Sequence, residues 1–296
     1  MMSVGPTPEF LIGLIGAGIQ ASRSPALHER EGAAHGFRYW YRLIDLDVLG
    51  LGPDALPRLL SAAELMGFSG LNITHPLKQS VIPLLTGLSD DARALGAVNT
   101  VLLRGGQRIG HNTDWSGFAA SFKRGLPDVR IDRVVLLGAG GAGAAVAHAM
   151  LTLGAGTLGV FDTDRTRASR LAQDLCTRLG ERRATAVDDL EGSMAQADGL
   201  IHATPTGMAN HPGLPLPAGW LRPALWVAEI VYFPLETALL QAARRLGCRT
   251  LDGGGMAVFQ AAEAFRLFTD TAPDAQRMLD HFAAMSAVRS PSTSIR

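Results

Sequence analysis

Two stretches of this chain hold residues whose types and spacing could do chemistry. The first is Gly70-Leu-Asn-Ile-Thr-His-Pro-Leu-Lys78. Of the 27 positive side chains, 25 are arginine, and Lys78 and Lys123 are the only lysines. A lysine kept against that bias is a candidate for work that arginine cannot do. Its ammonium can release and regain a proton at accessible pH, whereas a guanidinium stays charged. Lys78 follows a short apolar run and Pro76, where a strand end meets a cleft, and is read as an acid/base group. A solvated surface lysine is the plainer alternative. The second stretch is Gly138-Ala139-Gly140-Gly141-Ala142-Gly143, with G-x-G-x-x-G spacing. It follows an apolar strand and opens an alanine-rich helix, and the next strand ends at Asp162. In that context the pattern is the dinucleotide-binding fingerprint. Its glycines let the backbone turn tightly and approach a pyrophosphate. The helix start then offers unpaired N–H groups and a positive dipole end to that anion.

Asp162 would accept hydrogen bonds from the adenosine ribose hydroxyls. A 2′-phosphate placed there would meet a carboxylate at short range, and Asp164 adds to the repulsion. Arg165 and Arg167 offer partial compensation. NAD is therefore expected in preference to NADP.

The elements that must position these residues follow from hydrophobic period and punctuation. Residues 10–16 read as a buried strand. A loop of small residues and hydroxyls carries Ser22 and Ser24, and Ser24-Pro25 is expected to open a helix with serine as its cap. A second strand is expected over 39–46 and a helix over 53–66. The strand with Asn72 and Thr74 leads to Lys78 and another helix. Ser89 to Gly96 reads as a short capped helix. Residues 97–103 and 107–111 flank Gly105-Gly106 as a hairpin, and Asp114 precedes a helix over 115–124. From about residue 132, strands at 133–137, 157–161, 198–203, 225–231 and 249–251 alternate with helices at 138–153, 166–179 and 236–246. That alternation predicts a parallel sheet covered on both faces. Helices at 256–269 and from 274 to about 288, then a polar tail from 290, complete the chain.

The 296 residues suggest two domains. With 47% apolar and 18% charged residues the composition is globular. A formal net charge of zero and the lack of any basic run argue against nucleic acid as a partner. No apolar stretch reaches membrane-span length and no signal-peptide pattern opens the chain. Cys176 and Cys248 show no metal-ligand spacing and are read as reduced thiols. A cytoplasmic protein without membrane or metal partners is expected.

The ordered motifs resemble the shikimate dehydrogenase family, and within it the NAD-dependent quinate/shikimate branch. They are Ser22-x-Ser24-Pro25 with His28; Asn72-x-Thr74-x-Pro76-x-Lys78; Gly96-Ala-Val-Asn99-Thr; Asn112-Thr-Asp114; the glycine loop; Ala203-Thr-Pro-x-Gly-Met208; Tyr232 with Pro234; and Asp252-Gly-x-Gly-Met256 with Gln260. The resemblance implies that Lys78 and Asp114 form the catalytic pair. It implies that Ser22 and Ser24 bind the substrate carboxylate, and that Asn72, Thr74, Asn99, Asp114, Tyr232 and Gln260 surround the ring hydroxyls. Arg167, Thr204, Gly255 and Met256 join the glycine loop and Asp162 as cofactor residues. A polyhydroxylated ring calls for many neutral donors and acceptors, which this set supplies. Two departures matter. The family's NADP-using members carry an Asn-Arg-Thr turn where this chain has Asp162-Thr-Asp-Arg-Thr. The NAD-dependent branch carries threonine where Ser24 stands, which favours shikimate over quinate.

An α/β chain of two domains is thus expected. The substrate domain spans 1–113 with C-terminal helices 252–296, and a Rossmann-type doubly wound dinucleotide domain spans 114–251, with a cleft between them. The expected reaction is reversible hydride transfer between shikimate (quinate being the second candidate) and NAD, by a monomer or homodimer. A dehydrogenase for another cyclic polyol or amino-polyol, and a non-catalytic ligand sensor, are the alternatives. Retention of both Lys78 and Asp114 argues against a sensor.

Overall fold

The computed structural model describes residues 7–287. The expected tail from 290 and the opening residues 1–6 lie outside them. The chain divides into two compact units, residues up to 113 together with those from 260 on, and residues 114–259. The return to the first unit falls inside a helix, at 260 and not at 252.

In the first unit the elements are β1 (Glu9–Gly16), α1 (Ser24–Ala34), β2 (Arg38–Asp45), α2 (Leu46–Leu49), α3 (Leu56–Leu65), β3 (Gly70–Ile73), β4 (Gly87–Leu88), α4 (Asp90–Leu95), β5 (Thr100–Arg104) and β6 (Gln107–His111). The six strands form one mixed sheet in the order β2-β1-β3-β5-β6-β4. Strand β1 alternates strictly: Leu11 and Ile15 face a core with Leu60, Leu71 and Leu77, while Phe10, Ile12 and Leu14 face one with Tyr39, Phe265 and Phe268. A period of two with both faces apolar is what a strand covered on both sides requires. Strand β2 stops at Asp45, one residue short of the expected end, because its carboxylate caps α2 by accepting from Asp47 N.

Two expectations for this unit are corrected. Ser24 does not cap α1: the helix begins on Ser24 itself, the cap position is Arg23, and no side chain caps it. No α-helix follows Lys78 directly. The chain makes turns and then one 3-10 turn at Ile82–Leu84, because Pro83 has no N–H to continue a helix.

The second unit contains α5 (Asp114–Gly125), β7 (Arg133–Leu137), α6 (Gly141–Thr152), β8 (Thr157–Phe161), α7 (Arg165–Leu179), β9 (Ala184–Ala186), α8 (Leu190–Gln196), β10 (Gly199–His202), β11 (Trp226–Glu229), α9 (Ala238–Arg245) and β12 (Arg249–Leu251). Helix α10 (Gly253–Thr269) starts in this unit, and α11 (Ala275–Ala287) ends the described chain. Every strand pairing here is parallel, in the order β12-β11-β10-β7-β8-β9. This is the doubly wound order, with its direction reversing between β10 and β7. Strands β10 and β11 are buried at every position. Gly199 is required on β10, since a Cβ there would lie 1.9 Å from the Trp226 ring. Strand β9 and helix α8 were not expected from the sequence. Among the described residues no helix is long and apolar enough to cross a membrane.

Candidate active site

In the first unit the expected substrate residues gather at one end of the sheet. Ser22 and Ser24 follow the carboxyl end of β1. Asn72 lies on β3, with Thr74 and Lys78 just beyond it, and Asn99 immediately precedes β5. Strand β5 runs antiparallel to β3, pairing Thr100 with Asn72, so its start meets the end of β3. The loop bearing Ser22 is held from beneath by Asp45, which accepts from Gly18 N at 3.0 Å, Ile19 N at 2.9 Å and Gln20 Nε2 at 3.0 Å. Burial pushes the Asp45 carboxyl up, but these bonds outweigh it and hold it below the ordinary value.

A buried polar network joins these residues. The Tyr41 hydroxyl donates to Asn72 Oδ1 at 2.8 Å. Asn72 Nδ2 donates to Asn99 O at 3.2 Å and Thr100 Oγ1 at 3.0 Å. Asn99 Oδ1 accepts from Thr100 Oγ1 at 3.0 Å and Thr113 N at 2.8 Å, and its Nδ2 donates to Thr113 Oγ1 at 2.9 Å. Asn72 therefore spends both amide hydrogens inside the protein. It can offer a ring hydroxyl only the second lone pair of Oδ1. Tyr41, Thr100 and Thr113 were missed from the sequence, because only strand pairing brings them to Asn72 and Asn99. Beside the network, burial pushes His28 down to about 3. Its ring is neutral and bonded to Tyr39 OH at 2.9 Å, a packing role.

Removing one partner tests the network. Tyr41→Phe leaves Asn72 Oδ1 without its buried donor, at a cost of about 1–3 kcal/mol. Denaturant unfolding at neutral pH should show that loss, and the KM for the ring acid should rise while that for the dinucleotide holds. Unchanged stability would mean the network contributes nothing.

The backbone ties Lys78 to the same network. Val98 N donates to Lys78 O at 2.8 Å, the next residue is Asn99, and Asn99 grips Thr113. Asp114 follows by one peptide bond and opens α5, 8% exposed. Lys78 is half-buried. Gln260 lies half-buried on α10 in the first unit.

In the second unit the glycine loop joins β7 to α6. Gly138 has φ +101°, and a Cβ there would lie 2.6 Å from Ala203 O. A Cβ on Gly143 would lie 2.0 Å from Gly138 O. Beside Gly140 and Gly141 a Cβ would meet nothing within 4 Å, so the outer side of the loop is open. Gly140 occupies the cap position of α6 with no side chain to bond the first turn. The N–H groups of residues 141–143, in the first turn, have no acceptor within the helix. Asp162, at the end of β8, accepts from Ala139 N at 2.8 Å and Asp164 N at 2.9 Å. Its carboxylate is thus pinned against the loop. Arg167 stands 3.9 Å from Asp162 and 3.8 Å from Asp164, and Arg165 pairs with Asp188 at 2.6 Å.

The other expected cofactor residues are placed as follows. Thr204 follows β10, its Oγ1 2.5 Å from His202 Nε2. A Cβ on Gly255 would lie 2.2 Å from Ser121 Oγ, so that glycine lets α10 approach α5. Met256 is 8% exposed in the core with Phe118 and Phe122, a packing position. Tyr232, expected to meet substrate, is 47% exposed beyond β11.

Comparison with known proteins places this arrangement. Residues 14–101 match the family model described as the shikimate dehydrogenase substrate binding domain. The shikimate dehydrogenase (NADP(+)) of Streptomyces avermitilis is 62% identical over 279 residues, covering 94% of this chain and 96% of the relative. The chain belongs to the shikimate dehydrogenase family. The quinate/shikimate dehydrogenase (NAD(+)) of Corynebacterium glutamicum is 49% identical over 280 residues, 93% of this chain and 99% of that one. Among solved structures, quinate dehydrogenase from Corynebacterium glutamicum in complex with NAD superimposes with a TM-score of 0.89 at 47% identity, covering 94% of this chain and 100% of that one. These family members differ in the dinucleotide their names carry, so membership gives a nicotinamide dinucleotide and leaves the 2′-phosphate to the local chemistry at Asp162.

Proposed function

We propose that this chain is a shikimate dehydrogenase that interconverts the ring C3 hydroxyl and ketone, with NAD preferred to NADP. When bound, the nicotinamide takes the hydride in one direction and returns it in the other. Lys78 removes the hydroxyl proton as the hydride departs and returns it in reverse, and Asp114 holds and tunes the ammonium. Ser22 and Ser24 receive the substrate carboxylate. Thr74, Asn99, Tyr232 and Gln260 meet the ring hydroxyls, together with the remaining lone pair of Asn72. The observation that carries this reading is the bonded path from Lys78 O through Val98, Asn99 and Thr113 to the residue before Asp114. It fixes the Lys78 backbone to the buried network that reaches Thr113.

The NAD preference rests on Asp162. Its carboxylate is held in place by Ala139 and Asp164 N–H groups, so it cannot swing aside for a 2′-phosphate. Arg167 is the cation beside it and already stands near two carboxylates. Steady-state assay of shikimate and quinate against NAD and NADP tests both choices. The largest kcat/KM is expected for shikimate with NAD, with quinate slower. A larger kcat/KM with NADP would overturn the cofactor assignment, and Asp162→Ala would then change little.

A further inference from the structure

Glu229, His202 and Thr204 form a buried hydrogen-bonded line that the proposed chemistry does not use. His202 and Glu229 end β10 and β11 and stand opposite each other in register. Both side chains are fully shielded from solvent. Ionisable groups in such a place are costly unless every polar atom is bonded. Here they are. Glu229 Oε1 lies 2.9 Å from His202 Nδ1 and accepts from Val231 N at 3.0 Å, and Oε2 lies 3.0 Å from the same Nδ1 and accepts from Thr237 Oγ1 at 3.0 Å. Each Glu229 oxygen already accepts from a donor other than the ring, Val231 N on one and Thr237 Oγ1 on the other, so a carboxylate facing a hydrogen on Nδ1 is the arrangement that satisfies every atom. In the neutral ring Nε2 is then an acceptor, and Thr204 Oγ1, 2.5 Å away, donates to it. The same oxygen accepts from Thr206 N at 3.3 Å. The Thr204 hydroxyl is thus committed within the protein.

The line ends against the glycine loop. A Cβ on Gly138 would lie 2.6 Å from Ala203 O and 3.0 Å from Thr204 Cγ2. His202 also pairs in register with Leu137, the residue before Gly138. Strand order reverses between these two strands, and the carboxyl end of a doubly wound sheet at that reversal is where ligands bind. Gly207, at φ +95°, turns the chain back so that its Cα faces Thr237 and Glu229.

We propose that Glu229, His202 and Thr204 are positioning residues: a latch that fixes the turn over 203–207 against the glycine loop and so sets dinucleotide affinity. His202 is held as its Nδ1–H tautomer, and Thr204 acts through the placement of the turn, not by offering its hydroxyl to the cofactor. The inference rests on reading the glycine loop as the dinucleotide site, and it does not depend on which dinucleotide is preferred.

Two measurements test it. Long-range nitrogen–proton correlation spectra of labelled protein report the His202 tautomer directly. Fluorescence titration with NADH and NADPH reports affinity for the wild type, Thr204→Val, Thr204→Ser and Glu229→Gln. The wild type should show Nδ1–H. Thr204→Val keeps the shape but cannot donate, and should weaken binding of the preferred dinucleotide about tenfold, while Thr204→Ser stays within about threefold of wild type. The KM for the ring acid should not move. Glu229→Gln removes the charge that holds the hydrogen on Nδ1 and places an amide donor against Thr237 Oγ1, and should weaken binding as Thr204→Val does. Should that variant not fold, the wild-type tautomer and the valine–serine contrast still decide. An Nε2–H wild type, or Thr204→Val binding as tightly as wild type, overturns the latch. A wrong cofactor preference shows separately, as NADPH binding the wild type more tightly with the valine–serine contrast intact. If the wild type binds neither dinucleotide, the glycine-loop reading and the latch fall together.

Discussion

Lys78→Ala should lose about two to four orders of magnitude in kcat, the usual worth of a positioned acid/base group. The fold should survive, because the backbone bond from Val98 N to Lys78 O is one that alanine retains. KM for the ring acid should change far less than kcat. Lys78→Arg separates charge from proton transfer. It keeps a cation at the position but supplies a group that does not titrate, so it should be nearly as slow as alanine. Circular dichroism and thermal unfolding of both variants check that the loss is chemical. A Lys78→Ala enzyme with near wild-type kcat would remove the acid/base assignment.

The second large effect is expected at Gly143. An alanine methyl there would lie 2.0 Å from Gly138 O and 2.9 Å from Gly138 C. Both are backbone atoms, so no side chain can rotate away, and the loop and the first turn of α6 must separate. Overpacking of this kind costs about 1–3 kcal/mol in stability. The cost to binding should be larger, because the displaced N–H groups are those proposed to meet the pyrophosphate. Dinucleotide affinity should fall by more than about tenfold, equivalent to about 1.4 kcal/mol. Gly141→Ala is the matched control. A Cβ there meets nothing within 4 Å, and alanine favours helix over glycine by up to about 1 kcal/mol, so unfolding should match or slightly exceed wild type. Equal dinucleotide affinity in Gly143→Ala and wild type would mean that the close approach of helix and strand is not needed for binding.

Those two positions also show what was legible in the sequence. The glycine loop could be read directly because its chemistry is local: an apolar strand, three spaced glycines and a helix lie within one short stretch. The hairpin at Gly105-Gly106 and the short helix between Ser89 and Gly96 were legible for the same reason; Ser89 caps from its own side chain and Gly96 closes at φ +60°. Strand β9 has three residues and α8 seven, too few to carry a period. Ser24 misled because a serine before proline has the composition of a cap, while the helix begins on Ser24 itself, with Arg23 at the cap position.

What could not be read is what depends on register. Tyr41 meets Asn72 across 31 residues, Asn72 meets Thr100 across 28, and His202 meets Glu229 across 27. Nothing in the spacing of those types distinguishes them from ladder residues. A weak signal did exist for the last pair: a histidine and a glutamate at the ends of two otherwise apolar strands. A buried ionisable group in such a strand needs a partner, and each of these is the other's.

The most direct measurement follows the hydride itself. Shikimate carrying deuterium at C3 is incubated with the purified protein and NAD, and the reduced dinucleotide is analysed by mass spectrometry. The expected product carries one deuterium on the nicotinamide, at a rate slowed by the isotope and lowered by about two to four orders of magnitude in Lys78→Ala. Reduced dinucleotide free of deuterium, or no reduction of either NAD or NADP by shikimate, would contradict hydride transfer from the ring carbon to the nicotinamide.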